Sequence, residues 1–486
     1  MLPEKEVVGQ LLKSPAHFAA QNWNRPRGPG VRVQEVTAIS GNARWHERAA
    51  TCISSASAQT ILQAMKTRAG LLTLLAFRAL AFSAEPLRIE TTVVDADTFH
   101  GATFQSHNQK VVSNKRGVFM THVRARNEKY TAQQWRLSWS RDGGKTFTTL
   151  FEATDPTNPP VLETDSAGNL YLGRPDFVNL DVLLYRFLAA EDYRTPHITR
   201  VPKSAAGKYA MCLDEARGQV CYFSHSGMFI RFGLDGAVRS AERLLVRAGD
   251  IVQEYPLLNL DARGTLHGAW TSLQVPRRIY WGIHHLQSPD GGVTWQTFAG
   301  KPAKAPVASS EAGPSDRITL DDEFEVSTWL SSFLVKDGKA HFLYLARTEP
   351  QRQHHVRYDV ATGKRELDHQ PNLRGDKLGI RSLDGFFATR SGASNSPLYC
   401  VAGDERGSGL ACLVSHDNGV TWLDHAVSVP FKQPYAIGGC REVTPDGWII
   451  GSFTDVTGTT NNGALVGRVH FFRIPVELGA SKAGKP

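Results

Sequence analysis

The chain has 486 residues, of which 41% are hydrophobic and 21% charged, an ordinary composition for a globular protein. Its net charge is +8, but residues 1–84 hold ten Lys or Arg against four Asp or Glu, so the rest is close to neutral. The chain shows no clustered basic stripe and no apolar run of the roughly 18 residues that a membrane helix needs. We therefore expect neither a nucleic-acid partner nor a membrane span.

The basic N-terminal part contains a pattern typical of a secretory signal peptide. Lys66 and Arg68 precede an apolar stretch at 69–77, and Ala81 or Ala84 offers a small residue for cleavage. A short buried helix is the alternative interpretation. The pattern predicts a secreted or periplasmic protein.

A turn built on Asp or Asn followed by Gly recurs between pairs of apolar runs. The turns, of which the sixth is a looser Ser-containing version, are 114–117, 165–168, 214–218, 261–264, 337–338, 391–396 and 446–447. Short β-branched or aromatic runs flank them, and sustained helical periodicity is missing. Four strands per unit, repeated seven times, predict an all-β protein, a seven-bladed β-propeller, with six blades as the alternative.

An extra apolar segment at 87–94 precedes the first unit. We expect it to pair with the last blade near 469–474 and to close the ring, because closure removes exposed sheet edges. The predicted organisation is an upstream extension without a packed domain at 1–64, a signal peptide at 65–84, the propeller at 85–478 and a disordered tail at 479–486.

Three segments share the pattern S-x-D-[GN]-G-x-T-[WF], and they begin at Ser140, Ser288 and Ser415. Asp and Ser oxygens can accept backbone N–H bonds inside such a turn, and Gly or Asn supplies a positive φ. Each segment follows a third strand, so it joins the two outer strands of a blade. The aspartates Asp142, Asp290 and Asp417 are therefore expected to be structural and distant from the propeller axis.

These segments resemble the BNR or Asp-box repeats of sialidases and of many secreted carbohydrate-active propellers. The resemblance extends over most of 85–486 and implies a propeller whose partner is a glycan or an acidic polysaccharide. We expect a monomer without a cofactor; calcium under a loop is the option left open. Adjacent strand residues such as His284 and His285 point to opposite faces, so the pair cannot chelate one ion.

Propeller ligands bind at one mouth of the central channel, so polar residues at the starts of the first strands are the candidate site. These residues are His107, Asn108, Gln109, Glu254, Tyr255, Asp321, Asp322, Glu323, Trp329, Arg381, Asp384, Tyr435 and Arg441, with Arg174 and Asp176 after a second strand.

The resemblance makes a sialidase-type glycosidase the first hypothesis. Such an enzyme grips the sugar carboxylate with arginines, and the arginines available here are Arg174, Arg381 and Arg441. A tyrosine nucleophile is activated by a glutamate, which Glu254 with Tyr435 or Tyr255 could supply. Asp322 or Asp176 could be the acid that protonates the leaving oxygen.

Seven blades, and a Phe-Arg-Ile-Pro element at the very end of the repeats rather than near their start, depart from the sialidase pattern. Some secreted lyases that act on uronates resemble seven-bladed propellers. There a His or Tyr removes the proton next to a carboxylate, and Arg, Asn or Gln stabilises the anion. The residues available for these parts are His107, Asn108, Gln109, Tyr255 and Arg441.

A non-catalytic glycan-binding propeller is the third hypothesis, with Trp329 and Tyr435 as sugar platforms. The cysteines leave another choice open, because Cys212 with Cys221 and Cys400 with Cys412 flank turns. Each pair could form a cross-hairpin disulfide in an exported protein, or it could be two small buried thiols.

Overall fold

The apolar runs that flank the predicted turns form seven four-stranded antiparallel sheets around a central channel, a seven-bladed β-propeller. This computed structural model describes residues 85–127, 133–205, 207–310, 313–323, 326–369, 380–390, 396–461 and 463–476. The predicted extension, signal peptide and C-terminal tail lie outside the described residues. The described part contains no α-helix, and no helix in it is long and apolar enough to cross a membrane.

Each blade runs from an innermost first strand to an outermost fourth strand. Blades 1 to 4 consist, in chain order, of Val111–Asn114, Gly117–Ala125, Gln133–Ser140 and Thr148–Ala153; Val161–Thr164, Leu170–Asp176, Asp181–Phe187 and His197–Val201; Tyr209–Asp214, Gln219–Ser224, Met228–Gly233 and Val238–Arg243; Ile251–Leu260, Leu266–Gln274, Ile279–Ser288 and Trp295–Gln296.

Blades 5 to 7 follow the same order, except that the last strand of blade 7 comes from the start of the propeller. They consist of Thr328–Lys336, Lys339–Ala346, Arg352–Asp359 and Arg365–His369; Ile380–Thr389, Leu398–Asp404, Leu410–Ser415 and Leu423–Val427; Pro434–Gly439, Trp448–Thr459, Leu465–Pro475 and Glu90–Phe99. Short additions are Leu87–Arg88, Leu245–Val246, Pro302–Ala303, Val307–Ala308, Asp316–Arg317 and the 3₁₀ turns Ala189–Glu191 and Asp321–Glu323.

The ring closes as expected from the extra N-terminal segment. Glu90–Phe99 pairs antiparallel with Leu465–Pro475, with Glu90 opposite Arg473 and Val93 opposite His470. Glu90–Phe99 thus completes the blade that the last strands of the chain form, whereas Leu87–Arg88, which belongs to the same predicted segment, pairs in parallel with Ala426 and Val427 of blade 6.

The hydrophobic core is a ring of seven clusters, each shared by two neighbouring blades. Between blades 1 and 2, for example, Trp135 packs against Tyr185 with ring centroids 5.4 Å apart, and both side chains are buried. Each blade therefore buries both of its faces against its neighbours.

The three predicted outer turns share one set of hydrogen bonds. In blade 1, Ser140 Oγ lies 2.8 Å from Asp142 Oδ1 and accepts the Gly144 N–H, while Thr146 donates its N–H and its hydroxyl to the two Asp142 oxygens. The turns of blades 4 and 6 repeat these contacts around Asp290 and Asp417. All three aspartates lie between the outer two strands, away from the channel.

Glycine is required in such a turn because the next blade packs against it. Gly144 has φ +91°, and a Cβ built on it would lie 2.1 Å from Phe471 of blade 7. Gly292, at φ +95°, makes the equivalent approach to Phe229 of blade 3. The outer turns therefore contribute to the contact between blades as well as to their own hairpins.

The described cysteines are all buried free thiols. Cys212 and Cys221 lie directly opposite one another across a hairpin but are not bonded. Cys400 lies opposite Leu413, whereas Cys412 lies opposite Val401, and the two thiols belong to different core clusters. The second disulfide option is therefore wrong, since those side chains point to opposite faces of the sheet.

Candidate functional site

Four blades contribute polar and aromatic side chains to the mouth at which the first strands begin, called here the entrance mouth. His107 precedes blade 1; Lys208 and His225 come immediately before and after the first two strands of blade 3; blades 4 and 5 supply the rest. The group, named the entrance cluster, consists of His107, Lys208, His225, Glu254, Tyr255, Tyr280 and Trp329.

Irregular backbone aims these side chains. In blade 4 the pairing of the first two strands shifts between Glu254 and Leu257, and Tyr255 between them has φ +45°. In blade 7 a similar shift follows Tyr435, and Ala436 has φ +53°. A left-handed non-glycine residue costs roughly 1–3 kcal/mol, and such bulges redirect side chains next to functional sites. Two of the left-handed residues thus lie in innermost strands at the entrance mouth.

Glu254 forms the charged centre of the entrance cluster. Its Oε2 lies 3.1 Å from Lys208 Nζ and 3.9 Å from His225 Nδ1, and the residue is 2% exposed. Burial alone would raise the pKa of Glu254, but Lys208 and His225 outweigh it and the pKa is lowered. Burial lowers the pKa of Lys208, but Glu254 and Tyr280 reverse the effect and raise it. Glu254 and Lys208 thus form an ion pair at neutral pH.

Three aromatic rings line the same mouth. Tyr255 lies 4.4 Å from Trp329 and 5.6 Å from Tyr280 between ring centroids. Burial, with Tyr280 and Glu254 nearby, holds the pKa of Tyr255 well above its usual range, and its hydroxyl is hydrogen-bonded to Tyr280. Tyr255 therefore carries its proton at neutral pH, while the partly exposed Trp329 offers an aromatic face to a sugar ring.

His107 faces Tyr255 in an edge-on arrangement with ring centroids 5.5 Å apart. Burial, together with the ammonium groups of Lys110 and Lys208, holds the pKa of His107 well below 6.5. Its Nε2 is buried and has no hydrogen-bond partner among the described residues. The imidazole is neutral at physiological pH, so one of its two nitrogens carries no proton and can act as a base.

Blades 1, 6 and 7 form the other side of the mouth. Tyr435 lies 5.8 Å from His100 between ring centroids, and burial with the nearby Asp384 raises its pKa. Asp384 accepts the Ala436 N–H at 2.9 Å and interacts electrostatically with Lys110. Tyr435 lies close enough to Tyr255 to contribute to its raised pKa, and Glu254 pairs with Lys208.

The side chains of Asn108 and Gln109 were predicted to bind the substrate. They form hydrogen bonds to other groups of the protein instead. Asn108 Nδ2 donates to Tyr209 O at 2.6 Å and to Gln105 Oε1 at 3.0 Å. Gln109 Nε2 donates to Glu163 at 3.0 Å, and its Oε1 accepts the Arg441 N–H at 3.1 Å. Both amide side chains are buried, so they hold the entrance loop rather than extend into the mouth.

Two of the three arginines proposed for carboxylate binding, Arg174 and Arg441, lie away from the entrance cluster. Arg174 is 1% exposed inside blade 2, where it binds Tyr185, Asp155 and the Pro175 carbonyl. Arg441 lies beyond the end of the first strand of blade 7, not at its start as the sequence suggested, and pairs with Glu163 at 2.7 Å. Arg381 lies in the first strand of blade 6, and its side chain is not among those that the structure describes.

The two aspartates proposed as acids are held ionised by their partners. Asp322 is exposed on the rim, where a hydrogen bond from Arg352 at 2.6 Å lowers its pKa. Asp176 lies at the end of a second strand; burial opposes ionisation, but bonds from Asn179 and Arg200 lower its pKa to about 2. Neither carboxyl holds a proton at neutral pH.

Sequence reasoning missed Lys208, His225, Tyr280 and Lys110. Lys208 immediately precedes a first strand, so the positional rule that selected Glu254 applies to it as well. His225 and Tyr280 lie at the end of a second strand and the start of a third. In a propeller, the ends of second strands and the starts of third strands lie at the same mouth as the starts of first strands. A rule that also selected polar residues at those positions would have identified His225 and Tyr280.

A separate cavity of about 1200 Å³ opens at the opposite mouth, where the turns between first and second strands lie. Its lining includes Arg441, Glu163 and Gln109, but no member of the entrance cluster. Arg441 also donates to Leu258 O, so the guanidinium links blades 2, 4 and 7 across the channel. No group of described residues has the composition of a metal site.

Comparison with known proteins identifies relatives by structure only. No family model and no curated protein sequence matches the chain. A PL25 ulvan lyase is 10% identical, with a TM-score of 0.54 over 79% of this chain and 96% of that chain. Polysaccharide lyase Uly1 is 10% identical, with a TM-score of 0.52 over 80% of this chain and 100% of that one. The NanB sialidase from Streptococcus pneumoniae is 11% identical, with a TM-score of 0.39 over 79% and 71%. Two of these neighbours are polysaccharide lyases, and at about 10% identity the likeness shows the fold alone.

Proposed function

We propose that this protein is a lyase that cleaves uronate-containing polysaccharides by β-elimination at the entrance mouth. The observation that carries the proposal is the pairing of His107 with Tyr255. A neutral imidazole with an unoccupied Nε2 faces a tyrosine that keeps its proton, and two ammonium groups lie close enough to His107 to lower its pKa.

The reaction requires one base, one acid and a cation. His107 Nε2 takes the proton from the carbon next to the uronate carboxylate, and the released electron pair forms a carbon–carbon double bond. The glycosidic carbon–oxygen bond breaks, and the leaving oxygen receives the Tyr255 hydroxyl proton. Lys208 stabilises the negative charge that builds up on the carboxylate. Proton return from His107 to Tyr255 through solvent restores the site without adding water to the sugar.

Trp329 and the substrate of one structural neighbour support the same class of substrate. The exposed part of the Trp329 ring, beside Tyr255, suits stacking of a pyranose. A PL25 ulvan lyase was solved bound to -[GlcA(1-4)Rha3S]-, a chain that contains a uronate. We also propose that the protein acts outside the cytoplasm, as the signal-peptide pattern at 65–84 predicts.

The contacts of Glu254 and the arginines favour elimination over sialidase-type hydrolysis. A tyrosine nucleophile needs a carboxylate to take its proton, but the pKa of Tyr255 is held well above its usual range and Glu254 is paired with Lys208. Arg174 and Arg441 are each bound to an acidic partner away from the entrance cluster.

Purified protein should be incubated with a panel of uronate polysaccharides, glucuronate–rhamnose sulfate chains among them, and with sialylated glycans. We expect ultraviolet absorbance from a new double bond and product masses without an added water. Products that contain one added water would contradict the proposal and favour a glycosidase. An unchanged panel of uronate chains would also contradict it.

Two substitutions test the assigned roles. His107→Asn and Tyr255→Phe should each lower kcat by about 10²- to 10⁴-fold, the usual contribution of a positioned acid or base. Tyr280→Phe should have a smaller effect, because Tyr280 only supports Tyr255. His197→Asn, on the exposed outer strand of blade 2, is the matched control and should leave kcat unchanged.

A further inference from the structure

A buried lysine of blade 1 holds the turn that carries His107. Lys110 is 2% exposed, and its Nζ donates to the carbonyl oxygens of Gln105 and Asn108, the second at 3.1 Å. These carbonyls belong to residues on either side of His107. The ammonium therefore fixes the backbone at both ends of the segment that presents the imidazole.

Neighbouring blades fix the same turn from its sides. Asn108 Nδ2 donates to Tyr209 O, at the start of blade 3. In blade 7 a Cβ built on Gly438 would lie 2.4 Å from Ser106 O, so the strand can approach this closely only because position 438 is glycine. Blades 3 and 7 thus contact the turn from two sides, and Lys110 contacts it from blade 1.

Lys110 also acts on the imidazole through its charge. The groups that face His107 are Lys110 of blade 1, Lys208 before blade 3 and Tyr255 of blade 4. Lys110 itself faces Asp384 of blade 6, and burial lowers its pKa to about 7 although Asp384 opposes the shift. A cation next to a buried imidazole disfavours its protonation.

We propose that Lys110 is a positioning residue for His107: its two hydrogen bonds aim the imidazole at Tyr255, and its charge keeps Nε2 free to accept a proton. Lys110 does not contact the substrate. The kinetic consequence rests on the proposed function, but the effect on the imidazole does not.

The experiment compares Lys110→Met, which removes the charge and the donors, with Lys110→Arg, which keeps both. The His107 pKa is measured by NMR of histidine-labelled protein and assigned with His107→Asn. We expect it to rise toward 6.5 in Lys110→Met and to stay low in Lys110→Arg. Lys336→Met, a buried lysine at the opposite mouth that pairs with Asp337, is the control and should leave it unchanged.

In kinetics, Lys110→Met should lower kcat by about 10- to 100-fold with little change in KM, because a displaced base affects the chemical step. The acid limb of its kcat profile should move to higher pH with the His107 pKa. Lys110→Arg should restore most of the rate.

An unchanged His107 pKa in folded Lys110→Met would overturn the proposal. So would a loss of rate without movement of the acid limb, which is the behaviour of a lysine that only supports the fold. If Lys110→Met does not fold, Lys110→Gln gives the same two readouts. If the wild type cleaves no uronate chain, the proposed function fails, and the NMR measurement alone decides the role of Lys110.

Discussion

Breaking the Arg441–Glu163 pair should destabilise the propeller in a pH-dependent way. The pair joins blades 2 and 7 at 2.7 Å, and the side chains are 21% and 11% exposed. Removing one partner of a buried ion pair costs about 3–5 kcal/mol. Because Arg441 keeps some contact with solvent, we expect Arg441→Met to lose about 3 kcal/mol at pH 8.

The loss should shrink as the pH falls, for a reason that can be worked out from Glu163. Burial raises the pKa of this carboxyl, with Arg441 and Gln109 opposing the shift. A raised folded-state pKa means that protonation favours the folded chain, and the penalty for the unpaired carboxylate grows only as the pH rises above 4.5. At pH 5 the carboxyl in Arg441→Met takes up a proton and no longer needs a cation.

Urea unfolding followed by tryptophan fluorescence measures the loss at both pH values. Arg247→Met, which removes one partner of an exposed ion pair with Asp250, is the matched control and should cost less than about 1 kcal/mol. Arg441→Met combined with Glu163→Gln should recover part of the loss, since no charge is then left unpaired. A loss in Arg441→Met no greater than in the control, or one that does not depend on pH, would refute the reasoning.

Three further outcomes can be measured directly. Trp329→Ala should raise KM by about tenfold with little change in kcat, because it removes a stacking surface worth roughly 1.4 kcal/mol. Trp329→Phe keeps an aromatic ring and should restore most of the lost affinity. Acid should destabilise the fold below pH 6.5, because burial lowers the pKa of several histidines, to about 4 for His267 and His470 and to about 3 for His284. His267 accounts for about 3 kcal/mol of this loss between pH 6.5 and 4, so His267→Gln should reduce the slope of a Tm-against-pH curve in that range without removing it. The described cysteines should not react with iodoacetamide in the native protein, because they are buried and burial raises the pKa of Cys212 to about 12. Mass spectrometry that detects labelled cysteines in the absence of denaturant would contradict this expectation.

The blade count could be predicted from the sequence because its signals are local. Each first-to-second-strand turn, such as 114–117 or 446–447, needs particular residues at a few adjacent positions, and the repeat of these turns set the number of blades. Residues 90–94 were predictable as part of the closing strand because a propeller without it would leave an edge, whereas the pairing of residues 87 and 88 with blade 6 was not predicted.

The candidate site was only partly predictable because its partners are distant in the chain. The rule that ligands meet at strand starts predicted His107, Glu254, Tyr255 and Trp329 as site residues, and the fold brings all four into the entrance cluster. Arg441 was misplaced because the first strand of blade 7 begins at Pro434 and ends at Gly439, two residues before it.

The roles of Asn108 and Gln109 depended on contacts that no local pattern reveals. Asn108 binds Tyr209, 101 positions later, and Gln109 accepts the N–H of Arg441, 332 positions later. A polar residue at a propeller mouth can be a ligand or a support for one, and only its tertiary hydrogen bonds distinguish the two.

The arrangement of the core explains why this mouth tolerates strained backbone. The stabilising clusters lie between blades, whereas the left-handed Tyr255 and Ala436 occupy the innermost strands at the channel. A ring closed by strand pairing holds those strands in place from the outside, so distortions of roughly 1–3 kcal/mol can persist where they aim a tyrosine into the mouth. The proposed chemistry requires that rigidity, since a base such as His107 is effective only if the carbon proton and the leaving oxygen are met in one fixed geometry.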